Sequence, residues 1–111
     1  HIPPHLFVNC PDTLDQAKQI FESLGEGGIV GVDTEGNDHV ELLQTCFIDD
    51  QGDAKVILFD FLSAAKPLIT GFLRTILEDE NITKVLHDAT QDSKNLVKIG
   101  IQMRTVFDSS V

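Results

Sequence analysis

The chain has 111 residues, 41% of them apolar and 23% charged, with eight Gly and four Pro, an ordinary composition for one globular domain with a real core. Its 18 acidic and eight basic residues leave a net charge of −10. That excludes nonspecific nucleic-acid binding by charge alone, since neutralising phosphates takes Lys and Arg, although metal ions can reverse the sign of a local site. No apolar run approaches membrane-spanning length and no signal-peptide pattern is present. Cys10 and Cys46 match no metal or redox spacing, so a reduced cytoplasmic or nuclear setting is expected.

In chain order, LFVN (6–9) reads as a short edge strand. PDTLDQAKQIFESLGEGG (11–28) follows as an amphipathic helix, with Asp12 as N-cap and the glycines at 25, 27 and 28 as its stop. Leu14, Ala17, Ile20, Phe21 and Leu24 share one face of it, which needs a flat apolar partner. IVGVDTE (29–35) is almost continuously apolar until its end, as a central strand covered on both faces would be. After the turn GNDH come VELLQTCFID and AKVILFDF, two strands joined by the turn DQGD. The short links make these three strands an antiparallel meander.

The period then changes. KPLITGFLRTILEDEN is helical, with Leu68, Phe72, Ile76 and Leu73 turned inward. ITKVLHD is a strand, ATQDSKNLVKIG a helix stopped by Gly100, and RTVFDSS a last strand. The fold class expected is therefore α/β, with a mixed sheet that is antiparallel on one side and a parallel β-α-β-α-β on the other. Its parallel crossovers should be right-handed.

Two carboxylates end the first core strand. Side chains alternate along a strand, so Ile29, Gly31, Asp33 and Glu35 share a face, the two acids roughly 7 Å apart along it. One cation, or an adjacent pair, can engage both; a strand end reaching water also carries such residues, so the pair alone is not diagnostic. Asp92, with Ala89 and Leu96 three before and four after it, falls on or beside the sheet-facing stripe of its helix. A carboxylate aimed at a core costs several kcal/mol unless it is paired or coordinated. Its alternatives are a partner such as Lys84 or Lys94, or a misplaced register. Three acids from two packed elements favour a hard cation with oxygen ligands, Mg²⁺ or Mn²⁺.

In order, VGVDTEG, ELLQT, ITKVLHDATQDSKNL and VFDSS resemble the DEDD 3′–5′ exonucleases of the RNase D type, and within them the exonuclease-domain proteins related to egalitarian. The resemblance implies a ribonuclease H-like fold and makes residues 1–111 the N-terminal part of a single exonuclease domain. It implies that Asp33 and Glu35 form the first acidic motif and Asp92 the second. Two ions would sit on them, Asp33 bridging both, Glu35 on the side of the attacking water and Asp92 supporting the second. A third motif, Tyr or His four residues before an Asp, is absent before Val111, and Asp108 stands where relatives carry a structural strand-end acid. The activity implied is hydrolysis of terminal phosphodiesters of RNA or single-stranded DNA, RNA ahead of DNA, with no membrane involved. Some relatives keep the fold without activity, so the alternative is an inactive module that binds RNA or a protein partner. A further alternative is an unrelated acidic domain whose carboxylates are merely solvated.

Other residues bear on the same place. Backbone N–H groups near Thr34 and Gly36 are candidates for holding the terminal nucleotide, although Gly36 also suits turn chemistry. His87 closes its strand, either beside the metal and substrate phosphate or bonded to backbone. Asp88 reads as the N-cap of the next helix or as an acid outside Asp92. Gln44 is expected to make a structural hydrogen bond in a buried strand. Phe47, Phe59, Phe61 and Phe72 are core candidates, and without Tyr or Trp the chain lacks an obvious stacking platform for bases.

Overall fold

Six segments with strand periodicity pair into one sheet in the computed structural model, which describes residues 5–110. The elements in chain order are β1 (His5–Val8), α1 (Pro11–Phe21), a 3₁₀ turn (Glu22–Leu24), β2 (Ile29–Glu35), β3 (Leu42–Ile48), β4 (Ala54–Asp60), α2 (Lys66–Leu77), β5 (Thr83–Leu86), α3 (Ala89–Lys98) and β6 (Val106–Asp108). The sheet order is β1-β4-β3-β2-β5-β6. β2, β3 and β4 are the antiparallel meander expected, while β5 joins β2 and β6 joins β5 in parallel. β1 lies at the opposite edge, parallel to β4.

All three helices lie on one face of this sheet. The alternating residues Val30 and Val32, Leu43, Thr45 and Phe47, Ile57 and Phe59 are buried there. Phe21 of α1 stacks on Phe47 at 5.0 Å between ring centroids, and Phe72 of α2 meets Phe59 at 6.3 Å. The alternate residues are open instead: Ile29 is 61% exposed and Ile48 62% exposed. β2 is therefore central in order but covered on one face among the described residues, not on both. The run IVGV misleads because a strand buried on both faces and one with an apolar open face carry the same residues.

Two helix details also depart from expectation. Cys10, not Asp12, takes the N-cap of α1, because Pro11 lacks an N–H and suits the first turn. Thr13 closes that end by accepting from the amides of Asn9 and Cys10, at 3.1 and 3.2 Å. In α2 the fully buried stripe is Ile69, Leu73 and Leu77, and Leu68 is 54% exposed. Phe72 and Ile76 are only partly buried, since that stripe turns toward α1, where Phe72 meets the edge of Phe21 at 5.5 Å.

Candidate active site

β2 delivers its last side chains alternately to the two faces. Thr34 follows Val30 and Val32 to the helix side, and Asp33 and Glu35 go to the open face, both exposed. The pairing register sets Asp33 opposite Gln44 and Glu35 opposite Leu42 on β3. Gln44 is exposed, not buried as its surroundings in sequence implied, because it shares the open face.

Just beyond Glu35 the chain must reverse. Gly36 does so at φ +143°, where a side chain's Cβ would fall 1.9 Å from the His39 carbonyl oxygen, so no other residue fits without moving the loop. The Glu41 amide returns to the Glu35 carbonyl at 2.8 Å, and Lys98 of α3 donates to the Asp38 carbonyl at 2.8 Å. The turn after the acids is thus tied to the end of α3.

Asp92 lies in the first turn of α3 and is half-buried. The Thr34 hydroxyl donates to its Oδ1 at 2.5 Å. Burial pushes the Asp92 carboxyl above the usual carboxylate range; the Thr34 hydrogen bond opposes this, and the charges of Asp33 and Asp88 add to it. Neither Lys84 nor Lys94 pairs with Asp92. The ion pairs among the described residues are Lys55–Asp49 and Arg74–Glu78, both elsewhere. Lys84 is fully buried and donates to the carbonyls of Asp79 and Arg104; burial pushes its ammonium below the usual value.

The start of α3 is held from a distance. Asp88 occupies the N-cap in the left-handed region, φ 61°, and its side chain makes no capping bond. Asp108, at the end of β6, caps instead: Oδ1 accepts from the Asp88 amide at 3.1 Å and Oδ2 from the Ala89 amide at 3.0 Å. Ser110 donates to the same carboxylate from both its amide and its hydroxyl, and these bonds hold Asp108 down to about 2. His87 follows the end of β5 and is exposed.

Thr34 thus holds Asp92 on the helix side of β2 while Asp33 leaves the same strand on the open face; after burial and the Thr34 bond, the Asp33 charge is a lesser influence on the Asp92 carboxyl. Among the described residues, no three His, Cys, Asp or Glu side chains gather as a metal cage. The oxygen donors of Asp33 and Asp92 still fit a hard cation. Mg²⁺ commonly takes one or two carboxylates and fills its remaining positions with water and substrate phosphates. A groove of about 780 Å³ lies elsewhere, at the other end of β2 beside Ile29, Gly31 and Cys46.

A family model described as 3′–5′ exonuclease matches residues 8–111. The chain belongs to that exonuclease family. Mouse piRNA biogenesis protein EXD1 is 29% identical to the exonuclease domain over 103 residues, spanning 88% of this chain and 18% of that protein. Trypanosoma brucei RNase D superposes with a TM-score of 0.76 at 24% identity, covering 95% of this chain and 37% of that one. An EXD2 exonuclease domain soaked in Mn and Mg gives the same TM-score of 0.76 at 24% identity, covering 95% and 54%. The domain thus has the RNase D-like, ribonuclease H-like fold, and it spans about half or less of these relatives' length.

Two contributors to this end of the exonuclease domain were not evident in its sequence. Thr34 acts through its hydroxyl toward α3, whereas its place between two acids in sequence suggests only a backbone role. Asp108 caps a helix that begins 19 residues before it; no local pattern reveals a cap donated from the next strand.

Proposed function

We propose that the domain is a metal-dependent 3′–5′ exonuclease that hydrolyses terminal phosphodiesters of single-stranded nucleic acid, RNA ahead of DNA. The observation that carries the reading is a half-buried acid, Asp92, bonded to Thr34 between the two acids that end β2 and paired with no Lys or Arg among the described residues, in a chain of this family. A half-buried carboxylate with other acids nearby and no Lys or Arg partner is costly, and a divalent cation removes that cost. Asp33, Glu35 and Asp92 are the proposed ligands for two Mg²⁺ or Mn²⁺ ions. The chemistry such ions supply is polarisation of the phosphate and neutralisation of charge at the entering and departing oxygens. In support, the EXD2 domain has been soaked in Mn and Mg and in Mg and GMP, and T. brucei RNase D has been solved with RNA U12. Backbone near Thr34 and Gly36, and the exposed His87, are proposed to meet the terminal nucleotide.

The test is Asp33→Asn in the intact protein, assayed on a 3′-labelled single-stranded RNA in Mn²⁺. The substitution is expected to reduce trimming by more than the ten- to hundredfold that loss of an outer-shell partner costs. Unchanged trimming would remove the metal role. A second reading, an exonuclease fold retained as a module that binds RNA or protein, draws on the missing three-acid cage among the described residues. RNA binding by the wild type with no trimming in either Mg²⁺ or Mn²⁺ would establish it.

A further inference from the structure

We propose that Thr34 is a positioning residue: its hydroxyl fixes the direction of the Asp92 carboxylate, holding one oxygen and leaving the other for the cation. The proposal rests on the metal-dependent reading of the same acids.

Its basis is the geometry between β2 and α3. Thr34 is the one side chain at the end of β2 that turns to the helix side, and the Oγ1 to Oδ1 separation is 2.5 Å between residues 58 apart in sequence. A hydroxyl donating to a carboxylate makes a short, charge-assisted bond, stronger than a neutral one. Among the described residues, no other hydrogen bond reaches the Asp92 side chain and no cation pairs with it. The direction of that carboxylate therefore depends on one donor.

Both ends of the link are rigid. Thr is β-branched and restricted about χ1, and β2 is paired to β3 from Gly31 through Glu35. α3 is pinned independently by Asp108 at its first turn and by Lys98 on the Asp38 carbonyl at its last. Thr34 is not needed to dock the helix, so its bond to Asp92 is free to serve orientation. Outer partners that hold ligating carboxylates act in this way on metal affinity.

The test compares Thr34→Val, which keeps the shape and removes the donor, with Thr34→Ser, which keeps the donor and removes the methyl. In the intact protein, Mn²⁺ affinity read by electron paramagnetic resonance should weaken about 10- to 100-fold in Thr34→Val and return close to wild type in Thr34→Ser. In EDTA, the β-proton couplings of Asp92 should report one χ1 rotamer in wild type and averaging in Thr34→Val. Equal weakening in both variants would assign the effect to packing and overturn the proposal. Wild-type Mn²⁺ affinity in Thr34→Val would also overturn it, and Asp33→Asn in the same titration separates the causes. If Asp33→Asn has lost Mn²⁺ while Thr34→Val has not, only the positioning role falls; if both bind as wild type, the metal reading falls with it.

Discussion

Asp92 is where opposing demands meet. Burial and the charges of Asp33 and Asp88 raise its carboxyl, and the hydrogen bond from Thr34 lowers it, with burial the largest influence. A carboxyl whose folded value lies above its unfolded one withdraws stability as pH rises from the unfolded value through the folded one. Asp92→Asn keeps an acceptor for Thr34 and removes the charge. In EDTA at neutral pH, this variant should melt at a higher temperature than wild type, and the gap should close as pH falls toward the ordinary carboxylate value. Scanning calorimetry across that range checks it; equal melting temperatures at neutral pH would mean that Asp92 carries no electrostatic strain. The sequence pattern placed Asp33 and Glu35 on one face and Asp92 near the sheet, because strand and helix periods alone dictate that much. It could not show that Thr34, between the two acids, reaches Asp92 from the other face, since only the packing of α3 against β2 brings them together.

The helices and strands show where local pattern suffices. Nothing local pairs β1 with β4, but the meander, the parallel pairs of β2 with β5 and β5 with β6, and the three helices follow from period and turn chemistry, because those signals are local. The inner stripe of α2 does not: Leu68/Phe72/Ile76 and Ile69/Leu73/Leu77 are equally apolar, and only the position of α1 decides between them. The cap of α3 is another such case. Asp88 has the right position, but its left-handed backbone leaves the capping to Asp108. In the unfolded chain the Asp108 carboxyl holds its ordinary value of 3.8, and in the fold it is held at about 2. Its contribution is thus complete above the unfolded value and disappears as pH falls through the folded one. Asp108→Asn should lower the melting temperature at neutral pH and flatten the loss of stability between those two values. Because α3 carries Asp92, the same variant should weaken Mn²⁺ binding without touching a ligand. Unfolding curves of wild type and variant that run parallel down to the lower value would refute the cap's role.

The whole molecule sets a harder condition on function than any one residue. A net charge of −10 repels a polyanion, and several of the eight basic residues are engaged within the fold. Lys84 is buried on backbone carbonyls, while Lys55 and Arg74 each pair with an acid. The open sheet face adds Phe7, Ile29, Ile48 and Phe107, apolar and 46–62% exposed, and no counter-charge. On the proposed function, this domain would hold single-stranded RNA mainly through cations at the acids and through few phosphate contacts. For single strands each neutralised phosphate contributes a slope of about −0.7 to the dependence of log K on log salt. In Mn²⁺ the slope for this domain should be shallower than about −2, the value that some three phosphates would give. In EDTA binding should fall away, and added KCl should strengthen what remains by screening the repulsion. Anisotropy titrations of a labelled oligoribonucleotide in both conditions test this. A steep negative slope that survives EDTA would show that a basic surface, and not a cation at Asp33 and Asp92, holds the nucleic acid.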